Sequence, residues 1–436
     1  MHLRKIRIQN LKLIRDLELD FVGVDGAPRM WTVVLAENGM CKTALLQAIA
    51  LVASGQDRSN QLANIDSLPD RRLQPRPDVK IVAEFGFSHQ YHHAREYPGL
   101  QDPPHTPRLH AELLLRSGWK VFRSSSGYDG VDTISNTDPL TEASARELPH
   151  WFCAAYGVSR MLPLPSEMAD EHDLLVMRMQ SLFGKGPILG TNFADYYMPD
   201  DARAFAALLR TIVSANPKLL PRISDLSLLG RGGVSSASRL VESHRIDFQV
   251  SSSRSVRLPA TWLSHGYQST LAWIADVVGH IMWEAERTDI QPSEMEGIVL
   301  IDELDAHLHP LWQMTLVEGL KTVFPRLQFI ATTHSPLLLG GLAEDEIIRL
   351  RQDEDGSITA GTPEGTPALM TGSELYDTYF GVSRPAYSLK LQQYALLAED
   401  PLRSEADDLE VARLRQELCD AGIDPGIIEV AREDKP

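Results

Sequence analysis

Apolar and charged residues alternate through Ile6, Ile8, Leu11 and Leu13, and again through Leu17, Leu19 and Phe21. This period of two predicts two short strands in a hairpin. Trp31 to Leu35 is a continuous apolar run that predicts a buried strand, and Ala44, Leu45, Ala48, Ile49 and Val52 then recur at helical spacing. Residues 54–78 are polar and proline-containing and predict a loop. Val79 to Phe87 and Leu109 to Phe122 predict strands, separated by a His- and Pro-rich excursion over 88–108. Residues 124–147 form a further polar stretch, and Trp151 to Tyr156 a further apolar strand. Residues 165–245 predict a helical insertion with loops, clearest over Ala202 to Val213. After Ser264, Leu271, Ile274, Ala275, Val278 and Ile281 mark a helix. Ile298 to Ile301 and Leu327 to Ala331 predict buried strands. Asp353-Glu354-Asp355-Gly356 predicts a hairpin turn, and the chain is helical and acidic from Ser373 on. No internal repeat of roughly 20–50 residues and no low-complexity tract is visible.

Four segments carry chemistry. Between the strand at 31–35 and the next helix lies Ala36-Glu37-Asn38-Gly39-Met40-Cys41-Lys42-Thr43. It follows the phosphate-loop pattern G-x-x-x-x-G-K-[ST] in the strand–loop–helix setting that pattern requires, with Ala36 and Cys41 in the two glycine positions. Backbone N–H groups of Asn38, Gly39, Met40 and Cys41 are expected to wrap phosphate, Lys42 to reach the β- and γ-phosphates of ATP, and Thr43 to bind Mg²⁺. Cys41 is the costly departure: a positive φ there strains a residue with a side chain by about 1–3 kcal/mol. A loop so altered suits either a working ATP site or one with weakened binding. Second, Ile298-Val299-Leu300-Ile301-Asp302-Glu303 reads as a strand ending in paired carboxylates, with Asp302 expected to hold Mg²⁺ and Glu303 to serve as general base. Third, Leu263-Ser264-His265-Gly266-Tyr267-Gln268 opens a helix, with Ser264 as its candidate N-cap. This makes a second helix N-terminus suited to phosphate, which one ATP can use if it comes from another subunit. Fourth, His334, in Thr332-Thr333-His334-Ser335-Pro336 at a strand end, can sense a γ-phosphate.

Composition narrows the setting. The chain has 436 residues, 43% of them hydrophobic, enough for a large core. Its formal net charge of −17 excludes a surface that is basic throughout, although bases outnumber acids between Arg203 and Arg257. Cys41, Cys153 and Cys419 give no disulfide framework. The amino terminus lacks an apolar leader core, and the best apolar run, Thr270 to Trp283, contains Asp276 and His280. A cytoplasmic protein without a membrane segment is expected.

In this order the four motifs resemble the ABC-type ATPase heads of the RecF/SMC-like group. The stretch Asp302-Glu303-Leu304-Asp305-Ala306-His307-Leu308-His309-Pro310 is similar to its bacterial branch, the OLD-type ATPases and the ATPase subunit of Septu anti-phage systems. The resemblance implies an α/β fold: an ABC-type P-loop head with a mixed sheet and a RecF-like antiparallel N-terminal lobe, plus a helical insertion and a helical tail. The expected divisions are 1–164 and 251–365 for the two halves of the head, 165–250 for the insertion and 366–436 for the acidic tail. It further implies a homodimer that sandwiches ATP and Mg²⁺, with Ser264, Gly266 and Gln268 capping the partner's nucleotide, Glu303 and His334 catalytic, and Thr43 and Asp302 on the metal. A gated effector, a nuclease or toxin, is the expected partner, and DNA a possible one through Arg231, Arg239 and Arg245. His309 stands where the family's D-loop often has Asp, and Arg160 is a candidate nucleotide or coupling contact. No long heptad arms and no Toprim nuclease region are evident, and Asp353 and Asp355, though spaced like a metal pair, sit in a turn signal. An ATP-sensing scaffold, a DNA-repair ATPase and a transporter ATPase are the rival readings.

Overall fold

A computed structural model describes residues 1–70, 72–86, 108–128, 140, 152–160, 174–185, 199–213, 215, 219–220, 222–227, 245–251, 254–259, 262–284, 291–380, 386–400 and 404–420. The alternating amino-terminal segments form β1 (His2–Leu11) and β2 (Ile14–Asp20). With β4 (Val79–Gly86), β5 (Arg108–Leu115) and β6 (Arg123–Tyr128) they make an antiparallel sheet in the order β2-β1-β4-β5-β6. The apolar runs instead build a mixed sheet. β3 (Trp31–Leu35), β11 (Gly297–Ile301), β12 (Leu327–Thr332) and β7 (Cys153–Tyr156) are buried at every position, as parallel strands covered on both faces must be. Their order is β14-β13-β3-β12-β11-β7, with β13 (Ile347–Gln352) parallel to β3 and β14 (Ile358–Gly361) its antiparallel edge.

Helix α1 (Lys42–Leu62) belongs to the same core as both sheets. Its Leu45, Ile49 and Val52 share one apolar cluster with Ile6, Ile81 and Leu113 of the antiparallel sheet and Val34, Leu300 and Ile330 of the mixed sheet. Burial on this scale, about 25 cal/mol per Å² of apolar surface, fixes α1 against both sheets and so holds the helix end of the phosphate loop.

Three expectations change. The loop expected over 54–78 begins later, because α1 runs to Leu62 across Gly55, whose φ of 74° and ψ of 178° interrupt the helix without ending it. The strand expected to reach Phe122 stops at Leu115, a turn follows with Gly118 at φ 82°, and the polar run Arg123–Tyr128 is itself a strand. As the edge of its sheet, β6 needs few apolar residues. The insertion is also less purely helical than its sequence suggests. It contains α2 (Leu174–Gln180) and α3 (Pro199–Val213), but β8 (Ile223–Ser227) and β9 (Arg245–Ser251) join β10 (Arg254–Pro259) in a three-stranded antiparallel sheet. The excursion at 88–107, Arg231 and Arg239 lie outside the described residues, as does the side chain of Arg245.

The hairpin at 353–356 forms as expected, joining β13 to β14 with Gly356 at φ 78°. The chain divides into a unit over Met1–Leu369 and a second over Met370–Pro436. The second holds α6 (Gly372–Phe380), α7 (Ala386–Glu399) and α8 (Glu405–Asp420), with Tyr394, Ala398, Leu414 and Leu418 packed between α7 and α8. Among the described residues no helix is long and apolar enough to cross a membrane.

Candidate nucleotide site

The loop between β3 and α1 places Glu37, Asn38 and Gly39 on the surface, while Met40 and Cys41 pack against the core. Gly39 has φ 84° and Cys41 φ 60°, both left-handed. The strain anticipated for a side chain at position 41 is therefore present, and Cys41 occupies the N-cap position of α1. Burial pushes its thiol pKa up, which disfavours the reactive thiolate. Lys42 is buried, and its Nζ donates to the carbonyls of Ala36 at 2.7 Å and Glu37 at 3.1 Å. Burial lowers the Lys42 pKa, while Asp302, Glu303 and Asp305 act to raise it.

Across the sheet, Thr43 Oγ1 donates to Asp302 Oδ2 at 2.6 Å. The other carboxylate oxygen, Oδ1, accepts from Thr332 Oγ1 at 2.6 Å. Parallel pairing of β11 with β12 and β12 with β3 puts the loop, the carboxylate pair and His334 at the same, carboxyl-terminal, edge of the sheet. Open α/β sheets place their ligands at this edge. Glu303 follows in a left-handed conformation, φ 49°. Its N–H donates to Thr332 Oγ1 at 2.8 Å, and its carbonyl accepts from Arg160 Nη2 at 2.5 Å.

Arg160 is buried. Its Nη1 also donates to the carbonyls of Asp302 at 2.6 Å and Gly157 at 2.9 Å. Burial lowers its pKa to about 10, opposed by Asp302, Asp305 and Glu303, so it stays cationic at neutral pH. The sequence marked Arg160 as a candidate nucleotide or coupling contact. In the structure all three of these bonds go to backbone carbonyls of the chain.

Ser264 precedes α4 (His265–Glu284), and its carbonyl accepts from Gln268 N at 3.0 Å. The Gln268 amide donates to Leu263 O at 2.6 Å. Gly266 is required by a close approach: a Cβ there would lie 2.4 Å from the His307 carbonyl oxygen. The rings of His265 and His307 meet edge to face, 5.8 Å apart. Thus the Ser264–Gln268 motif packs onto the segment that follows the carboxylate pair. His309 Nδ1 accepts from Leu311 N and caps α5 (Pro310–Val323), the role a short acid often fills. Asp305 accepts from Thr333 Oγ1 at 2.5 Å and from the backbone N–H of His334 at 3.2 Å. Gln313 donates to Leu308 O and accepts from Ser335 Oγ, tying the same segments together. Sequence reading missed Thr332, Asp305 and Gln313. The Thr332-Thr333-His334 run was visible, but nothing in it tells which hydroxyl faces the carboxylates.

A mixed sheet with an antiparallel lobe, a phosphate loop at β3 and a carboxylate pair at the end of β11 is a specific combination. Over 85% of this chain and 99% of the other, it superposes with a TM-score of 0.50 and 16% identity on an SMC head solved with the C-winged helix domain of ScpA. The fold is that of an ABC-type ATPase head. Within this head, residues 164–340 match the family model described as "AAA domain, putative AbiEii toxin, Type IV TA system". The chain is 27% identical over 425 residues to a Septu protein PtuA of Bacillus mycoides (strain KBAB4), covering 95% of this chain and 50% of that protein. It is 30% identical over 189 residues to a "Retron Ec83 probable ATPase" of Escherichia coli, covering 43% of this chain and 33% of that protein. The chain therefore resembles a Septu protein PtuA and a retron probable ATPase, and it spans half the length of the first and a third of the second.

Proposed function

We propose that the head binds ATP with Mg²⁺, closes with a second copy around it, hydrolyses it, and thereby gates an effector in anti-phage defence. The observation that carries this reading is the hydrogen bond of 2.6 Å from Thr43 to Asp302, which joins the loop to the carboxylate strand. A hydroxyl and a carboxylate are hard oxygen donors, the chemistry that suits Mg²⁺. Mg²⁺ when bound supplies charge neutralisation on the phosphates. The exposed loop around Gly39 and the amino end of α1 offer N–H groups to them. Lys42 exchanges its carbonyl partners for phosphate oxygens. Glu303 takes a proton from the attacking water, and His334 faces the γ-phosphate side. Ser264, Gly266 and Gln268 cap the nucleotide of the partner copy. Exposed apolar side chains beside that motif and after His309, Trp262 at 73% and Leu311 at 70%, favour such a contact.

A second reading, an ATP-sensing scaffold with little turnover, is favoured by the left-handed Cys41. Phosphate release by the unaltered protein and by Glu303→Gln separates the two. A hydrolytic head gives Mg²⁺-dependent release that falls by roughly 100-fold or more in the variant while ATP binding persists. ATP binding without phosphate release in either protein favours the scaffold, and absence of ATP binding contradicts both.

A further inference from the structure

The end of β11 carries a residue in an unfavourable conformation with no unpaired backbone. The Asp302 N–H donates to Tyr156 O at 2.8 Å, and the Asp302 carbonyl accepts from Arg160. The Glu303 N–H donates to Thr332 Oγ1, and the Glu303 carbonyl accepts from Arg160 as well as from Ala306 N. The Leu304 N–H donates to Thr332 O at 2.8 Å. Every backbone donor and acceptor from Asp302 N to Leu304 N is thus engaged, by β7, by Arg160 just after β7, or by Thr332 at the end of β12. A non-glycine residue in the left-handed region persists only where its surroundings over-determine it. Strain held this way at a strand end is a means of aiming a side chain.

Arg160 suits this role. Carbonyls are ordinary partners for a backbone amide, yet here one buried guanidinium spans three of them. Its rigid fork fixes their spacing in a way that a flexible ammonium cannot. Thr332 suits it from the other side, because its single hydroxyl holds the Glu303 N–H and the Asp302 carboxylate together.

We propose that Arg160 and Thr332 are positioning residues that clamp the Asp302–Glu303 backbone in its left-handed turn and so aim the Glu303 carboxylate at the attacking water. Neither touches the reacting atoms. The proposal rests on the hydrolytic reading above; Arg160 acts through the Asp302–Glu303 backbone, and Thr332 through the Glu303 N–H and the Asp302 carboxylate.

The test uses the full chain with Arg160→Lys, Thr332→Val and Thr332→Ser. It reads ATP turnover, ATP affinity and hydrogen–deuterium exchange over 302–308 without nucleotide. Thr332→Val removes the hydroxyl at almost unchanged volume, so it remains informative if the arginine variant fails to fold. The expected result is a fall in kcat of about tenfold or more for Thr332→Val and Arg160→Lys, ATP affinity within about threefold of the parent for Arg160→Lys, and recovery of most turnover in Thr332→Ser. Exchange over 302–308 should quicken in Thr332→Val and return in Thr332→Ser. Turnover of Thr332→Val within about twofold of the parent, or a serine variant as impaired as the valine one, overturns the proposal. If the parent itself releases no phosphate, the hydrolytic reading fails, and exchange still decides the clamp: unchanged protection in Thr332→Val rejects it.

Discussion

Cys41 holds a left-handed φ of 60° where a phosphate loop ordinarily uses glycine. That costs about 1–3 kcal/mol, reduced by the contact its side chain makes with the core. Cys41→Gly removes the strain but also loosens the unfolded chain, which takes back about 0.4–1 kcal/mol of overall stability. Nucleotide binding compares two folded states, so it escapes that second effect. Cys41→Gly is therefore expected to tighten ATP binding by up to about tenfold in equilibrium titration; an unchanged affinity would mean that the loop bears no strain relevant to nucleotide. Residues whose role comes from local pattern were legible in the sequence. The backbone at Cys41 follows from its place in the loop, and the Thr43–Asp302 pairing from the company of two motifs. Thr332 and Arg160 were not legible as a clamp, because the Asp302 and Glu303 backbone atoms that they hold lie 142 and 143 positions from Arg160 and, for the Glu303 N–H, 29 from Thr332.

At the scale of elements, α4 links the Ser264–Gln268 motif to the sheet. Beneath it Tyr156, the last residue of β7, donates to Asp276 Oδ2 at 2.6 Å, and His280 lies 3.6 Å from the other oxygen. Burial, helped by the nearby Arg178, lowers the His280 pKa to about 3. The unfolded chain takes up this proton below about pH 6.5, whereas the fold refuses it until about pH 3. The contribution is present above pH 6.5 and lost as pH falls towards 3, at about 1.4 kcal/mol per pH unit. His2, also lowered to about 3, acts in the same direction. Glu296, raised by burial to about 7, acts oppositely: its contribution is present below pH 4.5 and lost as pH rises to 7. Denaturant unfolding of His280→Gln should therefore show a shallower loss of stability between pH 6 and 3.5 than the parent, by on the order of 1 kcal/mol per pH unit. Parallel curves would contradict a neutral buried His280. The elements legible in sequence were those with one clear period: the buried strands, α1 and α4. The strands β6 and β8 are sheet edges with few apolar residues, β9 is a short strand set between β8 and β10, and the end of α1 was hidden by Gly55 and a polar final turn.

At the scale of the molecule, an acidic chain with a formal net charge of −17 must overcome self-repulsion to pair with its own copy. The exposed apolar residues Trp262, Leu311 and Met314 stand beside the two segments that Gly266 and His307 bring together. On the proposed reading, this concentration is a surface that a second copy covers when ATP is shared between the two. Sedimentation equilibrium of Glu303→Gln, with and without Mg²⁺ and ATP, tests this directly. A shared site predicts a shift towards twice the chain mass when Mg²⁺ and ATP are added together, reversed by removing Mg²⁺. A mass that stays the same under every condition, with nucleotide bound, would contradict the shared site.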